Sequence, residues 1–168
     1  MKIKPFAVEE WMSTWEGGAR YNIAETCVDS VSLDELFELT GENKELFLQE
    51  FCKRRLTYGD IEGASAFKEG VCKLYKTLSS DEVLSTHGAA GANHHVFYSL
   101  ISPGDHVVGI MPTYLCDEVY RHLIQKDIWC DSIIGLYEEG ISVSSMSKVF
   151  SLAGLRIGWI ATHDGAIM

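Results

Sequence analysis

The 168-residue chain has little proline, three residues in all, and its five cysteines form no pattern. Cys27, Cys52, Cys72, Cys116 and Cys130 are odd in number and widely spaced, with no C-x-x-C. That argues against a disulfide framework and a zinc site, and predicts free thiols in a reducing compartment. Positive charge is also scarce: 14 Lys and Arg stand against 24 Asp and Glu, a formal net charge of -10. Nucleic acid needs a basic surface, so it is not an expected partner. No apolar run approaches the length of a membrane span, so no membrane contact is expected. The opening MKIKPFAVEEW lacks the apolar core of a signal peptide. Together these absences predict a soluble, cytoplasmic protein. There is no H-E-x-x-H, no G-x-G-x-x-G, no P-loop and no internal repeat. The pair His94-His95 reads as helix residues, and no metal is expected.

What is present is the composition of a globular domain with a real core, 46% hydrophobic and 23% charged. Ser32-Leu33-Asp34-Glu35 is a capping box and Gly41 a stop, which predicts a short helix between them. Asn43 is placed to cap a second helix, to about Leu56. Tyr58-Gly59-Asp60 reads as a turn. From about Gly63 to Leu78, apolar residues recur at helical spacing, which predicts a third helix. The pattern then changes. Glu82 to Thr86 reads as a strand and His87-Gly88-Ala89-Ala90-Gly91 as a small-residue turn. A helix follows from about Ala92 to Ile101, then the turn Pro103-Gly104-Asp105 and an apolar strand from His106 to Met111. This is a βαβ unit. Gly140–Ser144 and Leu155–Thr162 read as two further strands. The predicted class is α/β with a mostly parallel sheet and flanking helices, and ligands in such sheets sit at the carboxyl ends of strands.

The most informative stretch is SSMSKVFSLAGLRIGW, residues 144–159. Lys148 stands among small hydroxyl residues, Ser145 precedes it by three and Arg156 follows by eight. A lysine so placed can form a Schiff base with an aldehyde, and hydroxyls with an arginine can hold a phosphate. An aldehyde and a phosphate on one small molecule describe pyridoxal 5'-phosphate, PLP. The spaced pattern resembles the PLP-lysine signature of the class I/II aminotransferases, which are fold-type I PLP-dependent enzymes.

The resemblance runs further. THGAAGANHHVFYSLISPGDHVV resembles the segment whose turn holds the PLP phosphate, which implies Gly88, Ala89 and Ala90 as phosphate ligands. Backbone N–H groups at a helix N-terminus favour an anion, although a tight packing turn explains the same small residues. LCDEVY resembles the family's Asp-Glu-x-Tyr at a strand end. That implies Asp117 as the partner of the pyridine nitrogen and Tyr120 as a donor to the ring 3-oxygen. Pro112-Thr113-Tyr114 resembles the segment whose aromatic, here Tyr114, stacks on the ring. Tyr58 matches a tyrosine that reaches the phosphate of a neighbouring subunit, which implies a homodimer. The domains implied are 1–57, a helical segment of the small domain or arm, and 58–168, an incomplete PLP-binding large domain.

Two departures accompany this likeness. The family has many tens of residues where Tyr114 runs straight into Leu115 here, and it continues past the strand that follows the lysine motif. Two parallel strands need a connection of roughly a dozen residues or more, and Pro112 to Tyr114 do not supply it. The expected function is a PLP-dependent aminotransferase moving an amino group between an amino acid and a 2-oxo acid through Lys148. The alternatives are a PLP-dependent lyase or decarboxylase of the same fold, since fold does not settle reaction, or a catalytically inert remnant.

Overall fold

Ser32 caps the first of two paired helices as its sequence predicts. A computed structural model describes residues 5–23, 28–105, 115–123 and 130–167. A helix not anticipated from sequence, α1 (Ala7–Trp15), comes first. Helix α2 (Leu33–Thr40) carries the reciprocal Ser32–Glu35 capping box and stops at Gly41, whose φ of 71° suits glycine. Helix α3 (Lys44–Lys53) is capped by the Asn43 side chain on Leu46 N–H and ends three residues before Leu56. Phe37 of α2 meets Phe47 of α3 edge to face, and Phe47 stacks on Phe51 one turn further along α3. None of α1, α2 or α3 buries a residue.

The core lies beyond them. Helix α4 (Ser65–Cys72) is shorter than its apolar periodicity predicts, and Leu74, Tyr75 and Leu78 continue onto the core as turns. Strand β1 (Val83–Thr86) leads through Gly88 into α5 (Gly88–Leu100). The expected turn at 87–91 is therefore mostly the first turn of the helix. Gly88, at φ 73°, makes the sharp entry that a side chain would oppose. His94 and His95 lie exposed on α5, away from any metal-ligand cluster among the described residues. The expected strand His106–Met111 lies outside the described residues. Strand β2 (Leu115–Asp117), the four-residue α6 (Ile133–Leu136), β3 (Ile141–Ser145) and β4 (Gly158–Thr162) complete the order. The expected strand start at Leu155 is displaced to Gly158, because Ala153–Leu155 form a 3-10 turn and Arg156 takes φ 54°.

The sheet order is β1-β4-β3-β2. The α/β class holds, but the mostly parallel sheet does not hold among the described strands. There β2 and β3 run parallel, while β4 is antiparallel to both its neighbours. The reason is local. The loop from Met146 to Ile157 turns the chain straight back beside β3, with no crossover helix.

Side chains alternate across β3 and β4, which are buried along their whole length. Ile141, Val143 and Ile160 pack with Ala92 and Val96 of α5 on one face. Val83, Trp159 and Ala161 pack with Val71 of α4 and Ile134 of α6 on the other. The result is a sheet between helical layers. No helix among the described residues is long and apolar enough to cross a membrane.

One end of the β1–β4 pair is closed by charge. Glu82 accepts from Ser79 N–H at 2.7 Å and Ser79 Oγ at 2.6 Å, and meets His163 Nδ1 at 2.5 Å. Burial pushes the Glu82 carboxyl up, but the Ser79 and His163 contacts outweigh it and hold the group down at about 2. A depressed folded value means that its stabilisation is complete above the ordinary carboxyl value of 4.5 and is lost as pH falls toward about 2. The melting temperature is expected to drop across that window, and Glu82→Gln to flatten the drop. Thermal melts of both proteins at stepped pH check it.

Candidate active site

The opposite end of the same sheet gathers the residues singled out in sequence. Gly158 opens β4 and is paired with Thr86, the last residue of β1, and with Ser145, the last of β3. Three strand ends therefore meet at one glycine. The reason it must be glycine is contact: a Cβ on Gly158 would lie 2.4 Å from Gly88 C and 2.8 Å from Ala89 N. The strand thus presses directly on the first peptides of α5. Thr86 Oγ1 donates to Gly88 O at 3.1 Å and steadies the same turn.

Arg156 comes to this turn from the other side. A Cβ on Gly88 would lie 2.9 Å from Arg156 Nη2. Arg156 Nη1 donates to Ala153 O at 3.2 Å, which aims the guanidinium. So the Gly88 turn, Arg156 and the buried end residue Ser145 form one corner. A helix N-terminus, small residues, a hydroxyl and a planar guanidinium are a donor set for a phosphate dianion. Removing either glycine's freedom would close the cradle.

Lys148 follows Ser145 on the loop joining β3 to β4. That loop is braced by Met146 N–H to Ile157 O at 3.0 Å, Leu152 N–H to Met146 O at 3.1 Å, and Ser147 N–H to Ser145 Oγ at 3.3 Å. Lys148 is half-buried, and its Nζ lies 5.9 Å from the centre of the Tyr120 ring. Thus the lysine and Tyr120, read separately from sequence, share one space. Val31 N–H reaches Ser151 O at 3.0 Å and ties the N-terminal segment to this loop.

Asp117 ends β2 and is exposed, opposite Val143 on β3. Its Oδ1 accepts from Val119 N–H at 3.1 Å and its Oδ2 from Asn93 Nδ2 of α5 at 3.3 Å. Tyr58 is fully exposed ahead of α4 and makes no part of this corner within the chain. Tyr114 lies outside the described residues.

Sequence reasoning missed Glu118, one residue past Asp117 and only 6% exposed. Its carboxylate accepts from Ser132 Oγ at 2.8 Å, Ile133 N–H at 2.8 Å and Ser142 Oγ at 2.8 Å. Arg121 Nε lies 2.9 Å away, close enough to pair by charge although its N–H is not aimed for a hydrogen bond. Asn93 was missed too. The available signals were Ser142 alternating with Ile141 and Val143 in a buried strand, and a Glu and an Arg three residues apart.

Comparisons with known proteins bear on this arrangement. Residues 114–168 match the family described as aminotransferase class I and II. The chain is 28% identical over 117 residues to an aspartate aminotransferase of Thermotoga maritima, covering 67% of this chain and 29% of the relative. A PLP-dependent aminotransferase from Streptococcus suis, known by crystal structure, is 32% identical with a TM-score of 0.88. That likeness covers 99% of this chain and 64% of the other. A PLP-dependent cyclase shares the fold at 15% identity and a TM-score of 0.77. The chain thus spans under a third of the curated Thermotoga maritima relative and under two thirds of the Streptococcus suis structure.

Proposed function

We propose that the chain is a member of the class I and II aminotransferase family, and that its Gly88–Arg156–Lys148 corner binds PLP for amino-group transfer between an amino acid and a 2-oxo acid. Its fold is part of the large domain of fold-type I PLP enzymes. The observation that carries the reading is the contact of Gly158 and Arg156 on the Gly88 turn, beside the lysine loop. Two segments far apart in sequence, residues 86–90 and 145–158, are brought together there, and PLP needs both.

In this reading Gly88, Ala89 and Ala90, with Ser145 and Arg156, hold the phosphate. Asp117 holds the pyridine nitrogen and Tyr120 the ring 3-oxygen, with Tyr114 against the ring face. PLP, when bound, withdraws electrons from the substrate carbon. Lys148 would hold the aldehyde carbon until the substrate's own amine displaces it, and the freed Lys148 amine would then take and return the proton at the substrate carbon. Asn93 and Val119 N–H hold the Asp117 carboxylate in place. Residues 58–168 act as the cofactor-binding unit and 1–57 as a helical arm. The full exposure of Tyr58 suits a side chain that reaches the phosphate of a second copy, in a homodimer. The cytoplasm suits free thiols: Cys52, Cys72 and Cys130 are unpaired among the described residues.

The test is direct. The purified chain is mixed with PLP, its visible spectrum recorded, and the mixture reduced with borohydride and mapped by peptide mass. A visible band and an adduct confined to the Lys148 peptide are expected. No band, or an adduct spread over exposed lysines such as Lys53 and Lys76, overturns the reading in favour of an inert remnant. Amino donors and 2-oxo acids are then assayed, and release of carbon dioxide or ammonia without transfer would favour a decarboxylase or lyase.

A further inference from the structure

A line of buried polar groups runs beneath the sheet, and its two ends each stop one residue short of the corner described above. Trp159 Nε1 donates to Tyr75 OH at 2.8 Å. Tyr75 OH meets Ser142 Oγ at 3.0 Å, and Ser142 Oγ donates to Glu118 Oε2 at 2.8 Å. Each hydroxyl has a single proton. Ser142 uses its proton on Glu118, so the Tyr75 proton goes to Ser142, and Tyr75 is left free to accept from Trp159. The line therefore has one direction, from the indole N–H to the carboxylate.

Its ends are specific. Trp159 follows Gly158, whose backbone presses on Gly88 and Ala89. Glu118 follows Asp117, and Glu118 N–H is fixed to Val143 O at 2.8 Å. Trp159 and Ser142 are 1% and 0% exposed, and the Glu118 carboxylate is held further by Ser132 and Ile133. Arg121 closes the assembly. Its guanidinium lies 4.7 Å from the centre of the Tyr75 ring, and its Nη2 donates to Leu74 O at 2.9 Å.

Such a network is expensive to bury, and an apolar core of the same volume is commonly at least as stable. What it adds is geometry, since fully satisfied polar chains admit one arrangement. We propose that Trp159, Tyr75, Ser142 and Glu118 are positioning residues that set the distance between Asp117 and the Gly88 phosphate turn. This rests on the PLP reading of that corner. Asp117 would hold the ring nitrogen and the Gly88 turn the phosphate of one small molecule, so their spacing would decide whether both engage.

The test uses the full chain, with Tyr75→Phe, which removes one hydroxyl, and Glu118→Gln. PLP affinity is measured by fluorescence, the visible band is titrated against pH, and amide hydrogen exchange is followed without cofactor. Each variant is expected to weaken PLP about tenfold, the value of one lost hydrogen bond, and to move the pH midpoint of the band. Without cofactor, exchange is expected to quicken at residues 115–119 and 86–89 and not in α2 or α3. If the unaltered chain takes up no PLP, the cofactor reading fails and exchange alone judges the relay. Unchanged exchange at both segments overturns it. Faster exchange across the whole sheet, including the case of a variant that does not fold, also overturns it, because that marks ordinary core support.

Discussion

Gly158→Ala is expected to lose stability and phosphate binding together. The added Cβ would meet Gly88 C at 2.4 Å, Ala89 N at 2.8 Å and Gly88 Cα at 2.8 Å. All three are backbone atoms, so no rotamer change relieves the clash. Either β4 leaves its pairing with Thr86 and Ser145, or α5 moves off the sheet. Overpacking of this kind costs about 1–3 kcal/mol, and a fixed backbone neighbour places it at the upper end. For a domain of this length that lowers the melting temperature by roughly 2–12 °C. Gly154→Ala is the control: nothing lies within 4 Å of its Cβ position, and a change within about 0.5 kcal/mol is expected. Thermal melts with and without inorganic phosphate check both. A Gly158→Ala chain that melts like the unaltered one and keeps its phosphate shift would remove the contact on which the corner is built.

The glycine shows where sequence stops being legible. Ser32, Asn43 and Gly41 act within four residues of themselves, and their roles are readable from spacing alone. Likewise Lys148, Ser145 and Arg156 stand in a local pattern, and β3 appears within one residue of its predicted bounds. Gly158 looks like any strand glycine until β1, α5 and β4 are assembled. The same holds for Glu118, which reads as an acidic strand end and proves to be 6% exposed. Its partners Ser132 and Ser142 lie 14 and 24 residues away, at no regular period. Sheet direction also escaped, because the hairpin-like return from β3 to β4 depends on Arg156 taking a left-handed backbone. Helix ends were misplaced for a related reason. Apolar periodicity past Cys72 continues as turns, since Leu74 and Tyr75 serve the core through tighter three-residue bonds, Leu74 N–H to Val71 O at 2.9 Å and Tyr75 N–H to Cys72 O at 3.1 Å. Conversely, α2 and α3 match their predicted caps yet bury nothing, so local signals were correct there and told nothing of packing.

Lys148→Ala is expected to separate chemistry from fold. The Lys148 ammonium lies 5.9 Å from the Tyr120 ring centre, a contact worth about 0.5–1 kcal/mol at a partly exposed site. The loop keeps its shape through backbone bonds, among them Ser151 N–H to Lys148 O at 3.2 Å, and alanine retains these. Loss of the Tyr120 contact is expected to lower stability by about 0.5–1 kcal/mol, which thermal melts check. Chemistry should fall much further. On the proposed role of Lys148, removing the amine would take away both the site for the aldehyde and the group that moves the proton, an expected loss of at least about 10³-fold in any transfer activity. Lys148→Arg sharpens the contrast. The guanidinium keeps the positive charge beside Tyr120 and should restore the melting temperature, but it stays protonated and cannot attack an aldehyde. Both variants should lack the borohydride-trapped adduct, while the phosphate corner of Gly88, Ser145 and Arg156 still binds PLP reversibly. An adduct that persists in Lys148→Ala would move the chemistry to another lysine. Loss of the fold in both variants would make Lys148 a structural residue.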